Sequence, residues 1–324
     1  MLTIFSTTKP SRGHIAVIQR NAIRSWTLLQ PRPEIILIGD EPGVRELCQE
    51  FNLRHLPEVE RNEFGTPLVR SLFALGQAHA TFETVCYVNA DIIFLKDFLD
   101  AVDVSRKWAR GEPFLLLGGR WNVERIDPEL LDRPDRDAAL KTYAAAHGFH
   151  DTRVPMDYFI FPKSATWELP DFAIGRNAWD SWFPYQARRK GVPVIDGSSV
   201  ITAIHQNHDY AHFHRGEISI LHTAEGKQNL RLIGFGRRYL ISSANFKVTS
   251  NGLQPTRNRI RMLRDRLQEG ELHLFYQLHR WWPYSAPLYL CLKSVKRGVK
   301  WFAHGAKALI SMRQRRHSRS VRSE

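Results

Sequence analysis

The residues with most chemical potential stand in one short stretch, Val85-Cys86-Tyr87-Val88-Asn89-Ala90-Asp91-Ile92-Ile93-Phe94, an apolar run broken by one amide and one carboxylate. β-Branched and aromatic residues dominate it, as in a strand buried on both faces. A carboxylate at the end of such a strand is costly unless it is paired, solvated or bound to a cation, and open α/β sheets take ligands at the carboxyl ends of their strands. Asp91 therefore reads either as the residue that ends the strand and caps the next element or as a ligand-binding acid. Three further polar clusters end apolar segments in the same way: Asp40-Glu41, Asp180, and His205/His208-Asp209. Asp91 with a histidine is a donor set for Mg2+ or Mn2+, and such a cation would stabilise charge on a diphosphate leaving group. Asp180, between Trp179 and Trp182 at the start of a helix, either favours the helix dipole or, desolvated by its neighbours, serves as a general base with a raised pKa. Trp121, Trp179 and Trp182 offer flat apolar faces to a sugar ring or fill the core.

These residues need a sheet to hold them. Apolar runs at 2–6, 34–40, 53–59, 85–94, 114–119, 157–162, 192–195 and 200–204 read as strands. Helical spacing of apolar residues marks 15–29, 44–51, 68–78 and 98–108, with Thr66 before Pro67 as a cap and first helical residue. Strand and helix alternate, which predicts an α/β domain with a parallel sheet and right-handed crossovers. Residues 122–153 are irregular and charged around an Ala-rich helix at 137–146, and a helix carrying Asp180 closes at Arg188-Arg189-Lys190-Gly191.

Composition narrows the function further. The chain has 324 residues, 43% of them hydrophobic, and carries a net charge of +13. Residues 1–230 hold 26 Lys and Arg against 29 Asp and Glu, whereas residues 231–324 hold 20 against 4. The charge thus sits in a tail suited to an anionic partner. In that tail Leu288, Leu292, Val295, Val299, Phe302, Ala306 and Ile310 share one helical face and five Lys and Arg the other. Such a helix either lies on an anionic membrane surface or packs on the body with its basic face in water, and residues 313–324 read as disordered. Cys48, Cys86 and Cys291 are too few and scattered for a disulfide framework or zinc site. The opening residues read as a strand rather than a leader peptide, and no apolar run is long enough to span a bilayer; a cytoplasmic protein, peripheral at the inner face of the membrane, is the expectation. No G-x-x-x-x-G-K-[ST], G-x-G-x-x-G or G-x-S-x-G pattern stands where P-loop, dinucleotide or hydrolase chemistry would need it.

In this order, the clusters resemble the GT-A glycosyltransferases, most nearly the family 2-like bacterial enzymes that use nucleotide-diphosphate sugars. The resemblance covers roughly residues 1–212. It implies a GT-A type fold at 1–230, a basic helical extension at 231–312 and a disordered tail at 313–324. It places Thr7, Thr8, Asp40, Glu41, Asn62, Glu63, Asn89 and Asp91 at the nucleotide sugar, with Asn89-Ala90-Asp91 in the position of the family's Asp-x-Asp. It places Asp91 with His205 or His208 at Mn2+ or Mg2+, and Asp180 as the base that deprotonates the acceptor in an inverting transfer. Asn89 departs from the pattern by removing a charge near the metal. The acceptor it implies is a saccharide or lipid-linked sugar in cell-surface polysaccharide or glycolipid synthesis, with Trp121, Trp179 and Trp182 as its platforms. A sugar-1-phosphate nucleotidyltransferase would need a glycine-rich loop after Leu2-Thr3-Ile4-Phe5, which is absent. A non-catalytic nucleic-acid-associated protein would rest on the tail alone, since the body is not basic.

Overall fold

A computed structural model describes residues 1–207, 223–234, 236–257, 260, 262, 263 and 267. In chain order its elements are β1 (Thr3–Ser6), α1 (Gly13–Thr27), β2 (Glu34–Ile38), α2 (Val44–Phe51), β3 (Arg54–Leu56), α3 (Val69–His79), β4 (Thr84–Val88) and β5 (Ile92–Phe94). There follow α4 (Lys96–Ala109), β6 (Leu115–Leu117), β7 (Arg120–Val123), α5 (Arg136–His147), β8 (Phe149–Asp151), β9 (Tyr158–Pro162) and α6 (Trp179–Arg189). The last are β10 (Val194–Asp196), β11 (Ala203–Gln206), α7 (Ala224–Ile233), β12 (Phe246–Thr249) and β13 (Gly252–Pro255).

Nine strands form one sheet in the order β13-β12-β10-β6-β9-β4-β1-β2-β3. All are parallel except β9, which runs against β4 and β6, and the edge strand β13. The expected α/β class, mixed but mainly parallel, is the class the chain forms. Alternation along each strand divides its apolar residues between two cores. Ile4, Ile35, Leu37, Cys86 and Val88 pack with Ala22 and Trp26 of α1 and Phe98 of α4. Phe5, Ile36, Ile38, Val85 and Tyr87 pack with Leu72 and Phe73 of α3 and Trp179 and Phe183 of α6. At Gly76 α3 comes close to the sheet: a Cβ there would stand 2.4 Å from the Phe5 ring. Cys48 and Cys86 are buried among these apolar groups, and burial pushes the Cys48 thiol up to about 11 and that of Cys86 up as well.

A smaller sheet, ordered β5-β11-β7-β8, stands on the carboxyl side of β4. The run 85–94 is accordingly two strands rather than one. Asn89-Ala90-Asp91 turns the chain out of the large sheet, with Ile92 N donating to Asn89 O at 3.2 Å, and Trp26 Nε1 fastens the new strand by donating to Ile92 O at 2.8 Å. The strand expected at 200–204 likewise begins later, as β11, and includes His205 and Gln206. Its polar residues are tolerated inside because their groups are paired: Gln206 accepts from Asn21 Nδ2 at 2.9 Å and donates to Ile18 O at 3.0 Å. Thr66 and Pro67 do not open α3. They close a turn in which Asn62 Oδ1 accepts from Phe64 N and Thr66 N, and the helix begins two residues later.

The boundary expected at residue 230 falls within α7. β12 adds to the large sheet beside β10 and is paired by β13, so the first compact unit runs from Met1 to Arg266, the second from Leu267 to Glu324. The amphipathic stretch at 288–310 and the tail at 313–324 lie outside the described residues. Among the described residues no helix is long and apolar enough to cross a membrane.

Candidate functional site

Because β1, β2, β4, β6 and β10 are parallel, their carboxyl ends share one edge of the sheet. β9 runs the other way and delivers its first residues to the same edge. Asp157, just before β9, meets the turn after β4: Asn89 N donates to Asp157 O at 2.9 Å, and Asn89 Nδ2 to Asp157 Oδ1 at 2.9 Å. Tyr87 OH donates to Asn89 Oδ1 at 3.0 Å, and Arg120 Nη1 to Asp157 Oδ2 at 2.8 Å. The Arg120 and Asp157 side chains are only 15% and 10% exposed, a setting in which an unpaired charge is costly.

This clasp explains the amide at position 89. Its nitrogen supplies a donor to a carboxylate, which an aspartate could not do. Asn89→Asp is expected to set two carboxylates against one another and destabilise the fold by about 1–3 kcal/mol. Urea unfolding at neutral and acidic pH checks this, since protonation of one acid should narrow the gap. A variant as stable as the parent at neutral pH would refute the clasp.

Asp91 lies two residues further on. Its Oδ2 is 3.6 Å from His205 Nε2, with side-chain exposures of 15% and 2%. The pairing of β11 with β5 and β7 puts His205 opposite Ile92 and Asn122, and Gln206 N donates to Asp91 O at 3.4 Å. One carboxylate and one imidazole fit a hard to borderline divalent cation that completes its shell with phosphate and water oxygens. Among the described residues no group of three or more His, Cys, Asp or Glu is placed to hold a metal by itself. His208 lies outside the described residues.

Thr7 and Thr8 follow β1, and Asp40 and Glu41 follow β2. The side-chain oxygens Thr7 Oγ1, Thr8 Oγ1 and Glu41 Oε2 are buried without a hydrogen-bond partner among the described residues. A Cβ at Gly39 would lie 2.4 Å from Glu41 Oε2 and 3.4 Å from Thr7 Oγ1, so these two atoms flank one spot. Arg61 ties the acids together, reaching Asp40 at 2.6 Å and Glu41 at 3.0 Å. Asn62 is otherwise engaged: besides forming its own turn, its Nδ2 donates to Glu225 Oε1 of α7 at 2.8 Å. The other Glu225 oxygen accepts from Arg176 Nε at 2.8 Å. Glu63 is exposed at the tip of that turn.

Asp180 enters α6 after Ala178, a non-glycine residue at φ +82°, a conformation that costs an L residue about 1–2 kcal/mol. Its Oδ1 accepts from Ser181 N at 2.8 Å and from Ser181 Oγ at 3.2 Å. Burial pushes its pKa above the ordinary carboxylate value, in the same direction as the nearby Asp157 charge and against Arg238 and the Ser181 hydrogen bonds.

Two of the three tryptophans are buried. Trp179 is 5% exposed and meets Tyr87 edge-on at 5.5 Å, and Trp182 is 6% exposed with its Nε1 donating to Glu168 O. Both are core residues with no free face for a sugar. Trp121 stacks on His150 and lines a separate cavity. Asp157, Arg120 and Arg238 were missed as site residues. An acid directly before a buried strand, Tyr158-Phe159-Ile160-Phe161, was the available signal, and it becomes informative only once that strand is known to run antiparallel.

No family model and no curated protein matches the chain. Solved structures that it resembles include a mannosyltransferase from Pyrobaculum calidifontis in complex with GDP-Man and Mn2+, with TM-score 0.39 and 17% identity over 64% of this chain and 57% of that one. Another is glucosyl-3-phosphoglycerate synthase from Mycobacterium tuberculosis in complex with Mn2+, uridine diphosphate and glucosyl-3-phosphoglycerate, with TM-score 0.37 and 10% identity over 68% and 76% of the two chains. A third is S. aureus TarS 1–349, with TM-score 0.28 and 13% identity over 38% and 35%. The chain therefore spans about a third of the length of that TarS structure.

Proposed function

We propose that the chain transfers a glycosyl group from a nucleotide-diphosphate sugar to an acceptor hydroxyl. The observation that carries this reading is the placement, along one sheet edge, of the Asp91–His205 pair and the unpartnered oxygens of Thr7, Thr8 and Glu41. Those oxygens suit the hydroxyl and amino donors of a nucleoside. Asp91 and His205 would hold the divalent cation, which when bound neutralises charge on the diphosphate. Asp180 takes the acceptor proton as the acceptor oxygen bonds to the anomeric carbon and the bond to the diphosphate oxygen breaks. A base that activates the acceptor for direct displacement implies a single displacement with inversion at the anomeric carbon.

The acceptor in this reading is a saccharide or lipid-linked sugar, and the basic stretch beyond residue 266 holds the enzyme at an anionic membrane surface. A thermal-shift panel of UDP- and GDP-sugars, with and without Mn2+, tests the donor. A ligand at a hundred times its Kd stabilises the folded state by about 2.7 kcal/mol, so at least one donor should raise the melting temperature, and more so with Mn2+. No shift with any donor would sink the transferase reading; a shift only with a nucleoside triphosphate plus a sugar phosphate would replace it with nucleotidyl transfer.

A further inference from the structure

The small sheet has a second face. Side chains alternate along a strand, and Trp121 pairs with Ile204 on one side and His150 on the other. Trp121, His150 and Thr152 therefore share the face opposite to Asn122 and His205. On that side a cavity of about 690 Å³ opens between β7, the chain after β8, the first turn of α4, α5 and the carboxyl end of β10. Small-molecule sites occupy about 300–1,000 Å³.

The wall chemistry is distinctive. The Trp121 indole lies flat on the His150 ring, centroids 4.6 Å apart and planes 4° apart, so the pair forms a rigid aromatic plate. Hydroxyls come from Thr152, Ser198, Ser199 and Thr202, and the charges are two of each sign: Asp97 and Asp196, Lys141 and Lys247. Asp97 accepts from Thr202 N at 3.0 Å and Thr202 Oγ1 at 2.6 Å, with Lys141 Nζ 3.0 Å away. Asp196 Oδ1 accepts from Ser198 N and Ser198 Oγ. A lining whose charges cancel selects neither an anion nor a cation. An aromatic plate in a cavity that also presents hydroxyls, carboxylates and ammonium groups fits a ring that is apolar on its C–H face and hydroxylated at its rim. Burial lowers the His150 pKa, and its Nε2 has no hydrogen-bond partner among the described residues.

We propose that this cavity binds a neutral saccharide, at a site separated by the small sheet from the Asp91–His205 pair. The ring held here is not the reacting one. It is a distal unit of a longer glycan or a separate sugar ligand, and its binding does not rest on the transferase reading.

The test is saturation-transfer NMR and calorimetry on the full chain with methyl glucoside, methyl mannoside, N-acetylglucosamine, maltose, cellobiose and lactose. At least one should bind saturably. Two variants should weaken it about tenfold or more, that is by roughly 1.4 kcal/mol: Trp121→Leu, which removes the plate, and Ser199→Trp, which fills the cavity from an exposed position. The Ser199→Trp chain should keep the thermal shift given by nucleotide sugars, which separates failure here from failure of the donor site. If Trp121→Leu does not fold, Ser199→Trp alone decides. No saccharide binding at millimolar concentration, binding untouched by Ser199→Trp, or tighter binding of inorganic phosphate than of any neutral sugar would overturn the proposal.

Discussion

Asp180→Asn is expected to lower glycosyl transfer by about a hundredfold to ten-thousandfold, the range a positioned general base supplies, while leaving the thermal shift from the nucleotide sugar intact. Burial raises the Asp180 pKa above that of a free carboxylate, and a base works in its ionised form. Wild-type kcat/KM should therefore fall as pH drops through that raised value, and the acid limb should be missing from whatever activity the Asn variant keeps. The stability effect has the opposite sense. A carboxyl with a raised folded pKa holds its proton more tightly when folded, so its stabilising contribution is complete below the unfolded pKa and is lost as pH rises through the folded one. At neutral pH the ionised group is a cost, and Asp180→Asn should melt no lower than the parent. Full turnover in the variant would remove Asp180 as the base. A melting temperature that falls at neutral pH would show that Arg238 and the Ser181 donors outweigh burial.

The same setting shows why some of the site could be read from sequence and some could not. Parallel strands buried on both faces announce themselves as apolar runs, so β1, β2 and β4 and the polar residues at their ends were legible. Direction is not written in an apolar run. Tyr158-Phe159-Ile160-Phe161 looks the same whether it runs with its neighbours or against them, and only the antiparallel course of β9 brings Asp157 to Asn89 and Arg120. The departure that Asn89 makes from an Asp-x-Asp pattern thereby acquires a physical cause: its amide donates where a second carboxylate would repel. Periodicity was equally silent on the partners of tryptophan. Trp179 and Trp182 flank an acid in a polar helix start, yet their rings fill the core against Tyr87 and Phe172. Gln206 hid the end of β11 because a buried polar residue is tolerated when a distant group pairs it, and Asn21 is 185 positions away in sequence.

Asp91→Ala is expected to abolish the part of the donor-induced thermal shift that depends on Mn2+ and to lower transfer by a hundredfold or more, since several kcal/mol of charge stabilisation rest on the cation and each 1.36 kcal/mol is tenfold in rate. The substitution should fold. The Asp91 backbone oxygen, not its side chain, accepts from Gln206 N, and the Asn89 clasp to Asp157 does not involve it. His205→Ala should act in the same direction with a smaller effect, because an imidazole contributes no charge to a divalent ion when neutral. Direct measurement of Mn2+ affinity in the presence of nucleoside diphosphate separates this from a purely structural pair: Asp91 and His205 at 3.6 Å would, if they only steadied β5 against β11, lower the melting temperature on substitution and leave Mn2+ affinity unchanged. Asn89→Asp supplies the complementary measurement. Its new carboxylate would keep the Tyr87 OH donor but face the Asp157 carboxylate where the amide nitrogen donated, a repulsion that favours sharing a proton with Asp157, so it should not raise Mn2+ affinity even though it restores an Asp-x-Asp pattern. A marked gain in affinity would show that residue 89 swings free of its clasp and that the cation draws on both acids.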